Sequence, residues 1–239
     1  MKSRNPGTVK WMASVILMGL VAWGPAQLSR AFEVPDQSLV YEFVYNRHSL
    51  GQLEILIERK DPFVKTTAVS HLNAIAKLFQ PELIEETLFR IDGDTVRVES
   101  GATLSRDGKT VRRSYVIDHP AGVIQFSSGK EVPVEPGDRF ESTSFPLGLL
   151  ASEIGTLDGE PIREINAKRV RTYIYLPPEM ETIHIDGVEY NTWKVTRHKH
   201  GDTRRTVTAW LDRENHNIPV RITTRKRKSV SVFTLQRGS

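Results

Sequence analysis

Three of the seven histidines fall in "TWKVTRHKHGDTRRTVTAWLDRENHNIPVRI", Thr192 to Ile222: His198, His200 and His216. Histidines two apart on a strand point the same way and could begin a metal site. Here they stand among Arg197, Lys199, Arg204 and Arg205, with no carboxylate placed to orient a ring. The pattern reads as a basic, solvated hairpin end. Asp92 and Asp94 flank a glycine as at the start of a calcium loop, but the ligand spacing fails beyond them, which leaves a turn. Ser70 and His71 are neighbours, so a strand would send nucleophile and base to opposite faces. Glu85 and Glu86 read as solvated rather than as an acid and a base. No G-x-S-x-G, H-E-x-x-H, Walker or dinucleotide fingerprint occurs. The absence of cysteine excludes disulfides, thiolate ligands, a Cys nucleophile and a cysteine-linked lipid anchor. The sequence thus assigns no catalytic residue, no metal and no cofactor, and the protein is expected not to be an enzyme.

The elements that would position any site are strands. Leu39, Tyr41, Phe43 and Tyr45 alternate with Val40, Glu42 and Val44, and Leu53, Ile55 and Ile57 alternate with Glu54, Leu56 and Glu58. Period two marks strands with one buried face. Trp193 and Val195 share a face, as do Val207, Ala209 and Leu211, then Ile218, Val220 and Ile222. Asp-Gly pairs at Asp92, Asp107 and Asp186 separate β-rich runs and suit tight primed turns. Asp158-Gly159 is a fourth such pair, and Gly201-Asp202 joins two further runs. Two short helices are expected: "NAIAKLF", Asn73 to Phe79, with Ile75, Leu78 and Phe79 on one face, and "FPLGLLASEI", Phe145 to Ile154. "EVPVEPGD", Glu131 to Asp138, reads as an exposed connection. The expected fold class is mainly β: a single curved antiparallel sheet, half-barrel or open barrel, of about ten strands with two short helices.

The first 31 residues read as separate from this domain. Lys2, Arg4 and Lys10 precede an apolar run from Trp11 to Trp23; Gly24-Pro25 ends it, and Ser29-Arg30-Ala31 offers small residues for a cut after Ala31, with Ala26 a second candidate. That is the layout of a signal peptide, and the run is short of the roughly 20 residues a membrane span needs. The expected organisation is residues 1–31 as signal peptide and 32–239 as one exported β-rich domain, periplasmic in a Gram-negative cell, without a stable membrane anchor after cleavage. The leader holds four of the 33 basic residues (Lys2, Arg4, Lys10, Arg30), which leaves 29 against 29 acidic ones. A neutral mature chain has lost the main driving force for nucleic-acid binding.

Several stretches together resemble a family. "YEFVYNRHSLGQLEI" (from Tyr41), "AIAKLF" (from Ala74), "GVEYNTWKV" (from Gly187) and "WLDRENHNIPVRI" (from Trp210) are similar, in this order, to bacterial exported proteins of domain-of-unknown-function family 3108. The resemblance implies a curved antiparallel sheet like that of the periplasmic lipoprotein carriers, which hold acyl chains in a half-barrel; it implies no catalytic residue.

Two short helices cannot cover so much pleated apolar surface, and each wet Val, Leu, Ile or Phe forgoes roughly 1.5–3 kcal/mol. The sheet must curl, and a curled sheet leaves a mouth where a ligand can sit. The functional expectation is a lipid or other apolar ligand on the concave face, with Phe43, Tyr45, Ile55, Trp193 and Val195 as ligand-binding residues. The alternative is an envelope protein–protein module that docks through a sheet edge or the basic run Arg225–Lys228.

Overall fold

The computed structural model describes residues 35–79, 82–150 and 153–236. The expected leader and its cleavage site lie outside them. In chain order the elements are β1 (Gln37–Tyr45), β2 (His48–Lys60), β3 (Phe63–Leu72), α1 (Ala74–Phe79), β4 (Ile84–Asp92), β5 (Thr95–Leu104), β6 (Val111–Asp118), β7 (Val123–Phe126), β8 (Glu131–Pro133) and β9 (Phe140–Ser142). Then come α2 (Leu147–Leu150), a 3-10 turn (Ile154–Thr156), β10 (Pro161–Asn166), β11 (Arg169–Tyr175), β12 (Glu179–Ile185), β13 (Val188–Lys199), β14 (Asp202–Asp212), β15 (Ile218–Lys226) and β16 (Ser229–Leu235).

All sixteen strands belong to one open sheet, ordered 8-7-6-5-4-3-2-1-16-15-14-13-11-10-9, with β12 also paired to β13. The mainly β, single-sheet expectation stands, but sixteen strands replace the expected ten or so. The strands that alternation did not resolve are mostly short: β8 and β9 have three residues each and β7 four. One pair departs from the expected antiparallel rule, since β9 runs parallel to β10. Among the described residues, α1 has six residues and α2 four.

The hairpins follow their turn residues. Asn46 and Arg47 both take positive φ (46° and 72°), and Asn46 bonds the β15–β16 hairpin: its N–H reaches the Val230 carbonyl at 2.9 Å and its side-chain oxygen accepts from Val230 N–H at 2.9 Å. Gly51 has φ 133°, and a Cβ there would stand 2.1 Å from the His71 carbonyl oxygen. Only glycine lets β2 and β3 approach so closely beside the irregularity between Phe43 and Val44 in the β1–β2 ladder. Asn73 caps α1 as expected, accepting from Ala76 N–H at 2.9 Å. Two of the expected side chains are not buried, however: Ile75 and Leu78 are 67% and 80% exposed, and Ala76 faces the protein instead. Ile75 and Leu78 therefore cover none of the sheet.

The cover comes from the other direction. β9, α2 and the 3-10 turn cross the concave side, and Phe140, Phe145, Leu147 and Leu150 pack among Tyr41, Ile55, Val64, Phe89 and Ile218. The curvature is visible in a hydrogen bond between β4 and β9, Thr87 Oγ1 to Ser142 Oγ at 2.8 Å. A second apolar cluster joins Ile154, Leu157, Ile162, Tyr173, Tyr175, Val195, Ala209 and Leu211.

Candidate functional site

The strand registers lay the inner face out in rows. Phe43 is opposite Phe233, which is opposite Ile222, then Ala209, then Val195. The next row toward the hairpin ends is Tyr45, Ser231, Thr224, Val207, Arg197 and Tyr175. Directly opposed residues share a face, so an arginine and a tyrosine continue an otherwise small and apolar surface.

Where this surface meets the covering segment there is a cavity of about 140 Å3. Leu53, Ile55, Val195, Ala209, Ile222 and Phe233 form its apolar wall; Phe145 and Pro146 close it; Glu141, Glu164, Arg197 and Ser142 make its polar end. A dry cavity of about 150 Å3 lined by Leu, Ile and Phe takes a guest the size of benzene. The space therefore suits the end of one apolar chain, not a whole diacyl lipid.

The polar end is a buried charge network. Arg197 donates from Nη1 to Glu141 Oε2 at 2.5 Å and from Nη2 to Glu164 Oε2 at 2.8 Å. Tyr175 donates its hydroxyl to Glu141 Oε1 at 2.7 Å, and the Arg197 guanidinium lies 4.9 Å from the Tyr173 ring centroid. Burial opposes the Arg197 charge, yet the Glu141 carboxylate, Tyr175 and Glu164 hold its pKa above the ordinary value. Burial, reinforced by the Glu141 charge, pushes the Tyr175 phenol well up, so it stays a donor. Burial likewise pushes Tyr41 up; its hydroxyl donates to the Pro219 carbonyl at 2.9 Å.

Of the five residues expected on the site, Ile55 and Val195 line the cavity. Phe43 stands one layer back, its ring stacked on Phe233 at 4.7 Å between centroids. Tyr45 lies outside the cavity in an open groove of about 1070 Å3 that Thr224 shares with it, and its hydroxyl donates to Ser229 Oγ at 3.1 Å. Trp193 packs in the second apolar cluster, with the Arg213 guanidinium 5.4 Å from its ring centroid. Glu141, Glu164 and Arg197 are the residues that sequence reasoning missed. One signal was present for Arg197: in "TWKVTR" it falls in phase with Trp193 and Val195, on the inward face.

The other chemistry considered in the sequence does not assemble. His198 pairs across β13 with Thr206 and Ile174, and His216 lies beyond the far end of β14. His198 is opposite Thr206, six residues before the end of that strand, so at about 3.3 Å per residue roughly 20 Å of strand separates it from the turn that carries His216. Among the described residues no group of three His, Asp or Glu is placed to hold a metal. Ser70 is engaged with the Leu83 backbone, while His71 Nε2 faces Glu54 Oε2 at 3.2 Å.

No family model matches the chain, and no curated protein matches it in sequence. It is similar in structure to a β-barrel-like protein of the domain of unknown function DUF1849 from Brucella abortus, with 15% identity and a TM-score of 0.55 over 87% of this chain and 98% of that one. At that identity the likeness shows a shared fold. The hypothetical lipoprotein YmcC of Escherichia coli (12% identity, TM-score 0.37, 86% of each chain) and the lipoprotein LppX of Mycobacterium tuberculosis (12%, 0.29, 84% and 85%) align over similar lengths but superpose too loosely to carry an argument. The comparison that superposes well gives a β-barrel-like fold; membership of family 3108 has no family match behind it.

Proposed function

We propose that this protein is an exported, non-enzymatic envelope protein, periplasmic in a Gram-negative cell, that holds an apolar or amphipathic ligand against the inner face of its sheet. One observation carries the reading: the apolar cavity under Phe145 and Pro146 and the open groove beside Tyr45 share Thr224 in their walls. A chain end can lie in the first while a polar head stays in the second. Apolar lining with a few convergent polar groups is the usual make-up of a ligand pocket.

Native mass spectrometry of protein recovered from its own cell envelope tests this. A bound species with the mass of a lipid or other amphiphile is expected, lost on delipidation and restored by adding lipid. Protein that carries nothing, and takes up nothing on titration, would end the proposal in favour of docking to an envelope protein.

A further inference from the structure

The polar end of the site is not balanced. On the β10–β11 ribbon, Ile162 is opposite Tyr173, Glu164 opposite Arg171 and Asn166 opposite Arg169, so Arg169 and Arg171 lie on the same face as Tyr173 and Tyr175. On β14, Arg205 lies in phase with Val207 and Ala209 and is opposite Lys226 on β15. His200 N–H donates to the Thr172 carbonyl at 2.9 Å, so β11 runs past the β13–β14 turn and carries Arg169 and Arg171 toward Arg205. The four cations thus gather at one end of the inner face, outward from Arg197.

Against the carboxylates Glu141 and Glu164 stand five cations: Arg169, Arg171, Arg197, Arg205 and Lys226. Arg197 absorbs the near oxygens of both carboxylates, and Arg171 approaches the remaining oxygen of Glu164 only at 3.9 Å. Among the described residues, Arg169, Arg205 and Lys226 have no carboxylate in salt-bridge contact. Burial lowers the Arg169 pKa, and the charges of Arg171 and Arg205 lower it further, which marks the three as close enough to repel. The adjoining groove adds donors from Tyr45, Ser229, Ser231 and Thr224. Like charges gathered beside hydroxyls, next to an apolar cavity, lack only an anion.

We propose that Arg169, Arg171, Arg205 and Lys226 hold the anionic, phosphate-type head of a single-chain amphiphile whose tail ends in the cavity between the sheet and Phe145. This deepens the ligand reading above and rests on it. Guanidinium groups suit the task because they meet phosphate oxygens with paired, charge-assisted hydrogen bonds.

The test uses the delipidated full-length chain and three probes: dodecyl phosphate, monolauroylglycerol and inorganic phosphate. Affinities come from isothermal titration. Dodecyl phosphate should bind at least about tenfold more tightly than the neutral lipid, the gain of one good charge-assisted contact. The gap should close as salt rises from about 0.01 M to about 1 M and the screening length falls from about 30 Å to about 3 Å. The double variant Arg169→Ser/Arg205→Ser should lose the preference while keeping the neutral lipid's affinity. The salt series needs no variant, so the proposal stays testable if that variant misfolds. Inorganic phosphate binding as tightly as dodecyl phosphate would show a free-anion site and overturn the tail assignment. A neutral lipid binding as well as the phosphate, or a variant that keeps the preference, overturns the head assignment and leaves the ligand reading standing. If no probe binds, the ligand reading falls and this inference with it.

Discussion

Removing the guanidinium of Arg197 would strand Glu141 and Glu164, both almost fully buried, without their counter-charge. Breaking a buried pair by deleting one partner costs about 3–5 kcal/mol, whereas removing the whole network can be nearly neutral. Urea denaturation should therefore show Arg197→Leu destabilised by about that amount, and the triple variant Arg197→Leu/Glu141→Gln/Glu164→Gln should recover most of it. Failure of the triple variant to recover would mean that the network shapes the fold beyond its charge. Glu85 offers a pH test of opposite sense. Burial, opposed by Lys168 and aided by Glu164, raises its carboxyl pKa above 4.5. The folded state then holds its proton more tightly than the unfolded chain. Glu85 weakens stability as pH rises from the unfolded pKa through the folded one, and the deficit is complete above both. Glu85→Gln should raise the melting temperature by about 1–2 °C at pH 7 and leave it unchanged at pH 4. A loss at pH 7 would show that the charged form is the one the fold favours.

The segment from Phe140 to Thr156 does what the sequence assigned to a pair of helices. Its described residues hold three residues of parallel strand, a four-residue helix and a 3-10 turn, yet it delivers Phe145 and Leu147 to the concave face almost without exposure. Phe145→Ala should destabilise the protein by about 3–5 kcal/mol, the usual cost of truncating a buried phenylalanine. It should also enlarge the cavity, so that dodecyl phosphate binds more tightly to the folded variant; unchanged affinity would place the tail elsewhere. The legibility of each element followed its length. Long strands such as β1, β2 and β13 show alternation, and Asp186-Gly187 marks the β12–β13 hairpin, with φ of 50° and 79° as a primed turn requires. β7, β8 and β9 are too short to display a period. The inward charges were hidden for another reason: Arg197 meets Glu164 and Glu141 across 33 and 56 residues of chain. No local pattern announces a partner at that distance, so "TRHKH" read as a wet hairpin end.

At the scale of the molecule, one continuous sheet carries both the greasy wall and the basic rim. Its strand path ends at β8 and β9, each three residues long, and β8 ends at Pro133, while the seven-residue β12 pairs only with β13 and leaves its other side open. Short path ends with proline discourage strand addition by a neighbour, which leaves the open side of β12 and, as the basic surface for protein docking, the exposed tip Arg225–Lys228. If envelope partners dock there, changing those four residues to Ser should abolish their recovery in crosslinking pull-downs, and unaltered recovery would remove the tip from consideration.

The seam between the first and last strands has a consequence of its own. Tyr41 lies opposite Leu235, and Gln236 N–H donates to the Val40 carbonyl at 2.7 Å. The sheet therefore passes without a break across the place where the polypeptide does not. The four residues from Gln37 to Val40 span only about 13 Å at strand rise, so a short flexible bridge from Gln236 back to Gln37 would splice the domain into a ring. Reopened at the exposed Gly93-Asp94 turn, such a circularly permuted chain should regain the same circular dichroism and the same cooperative melt.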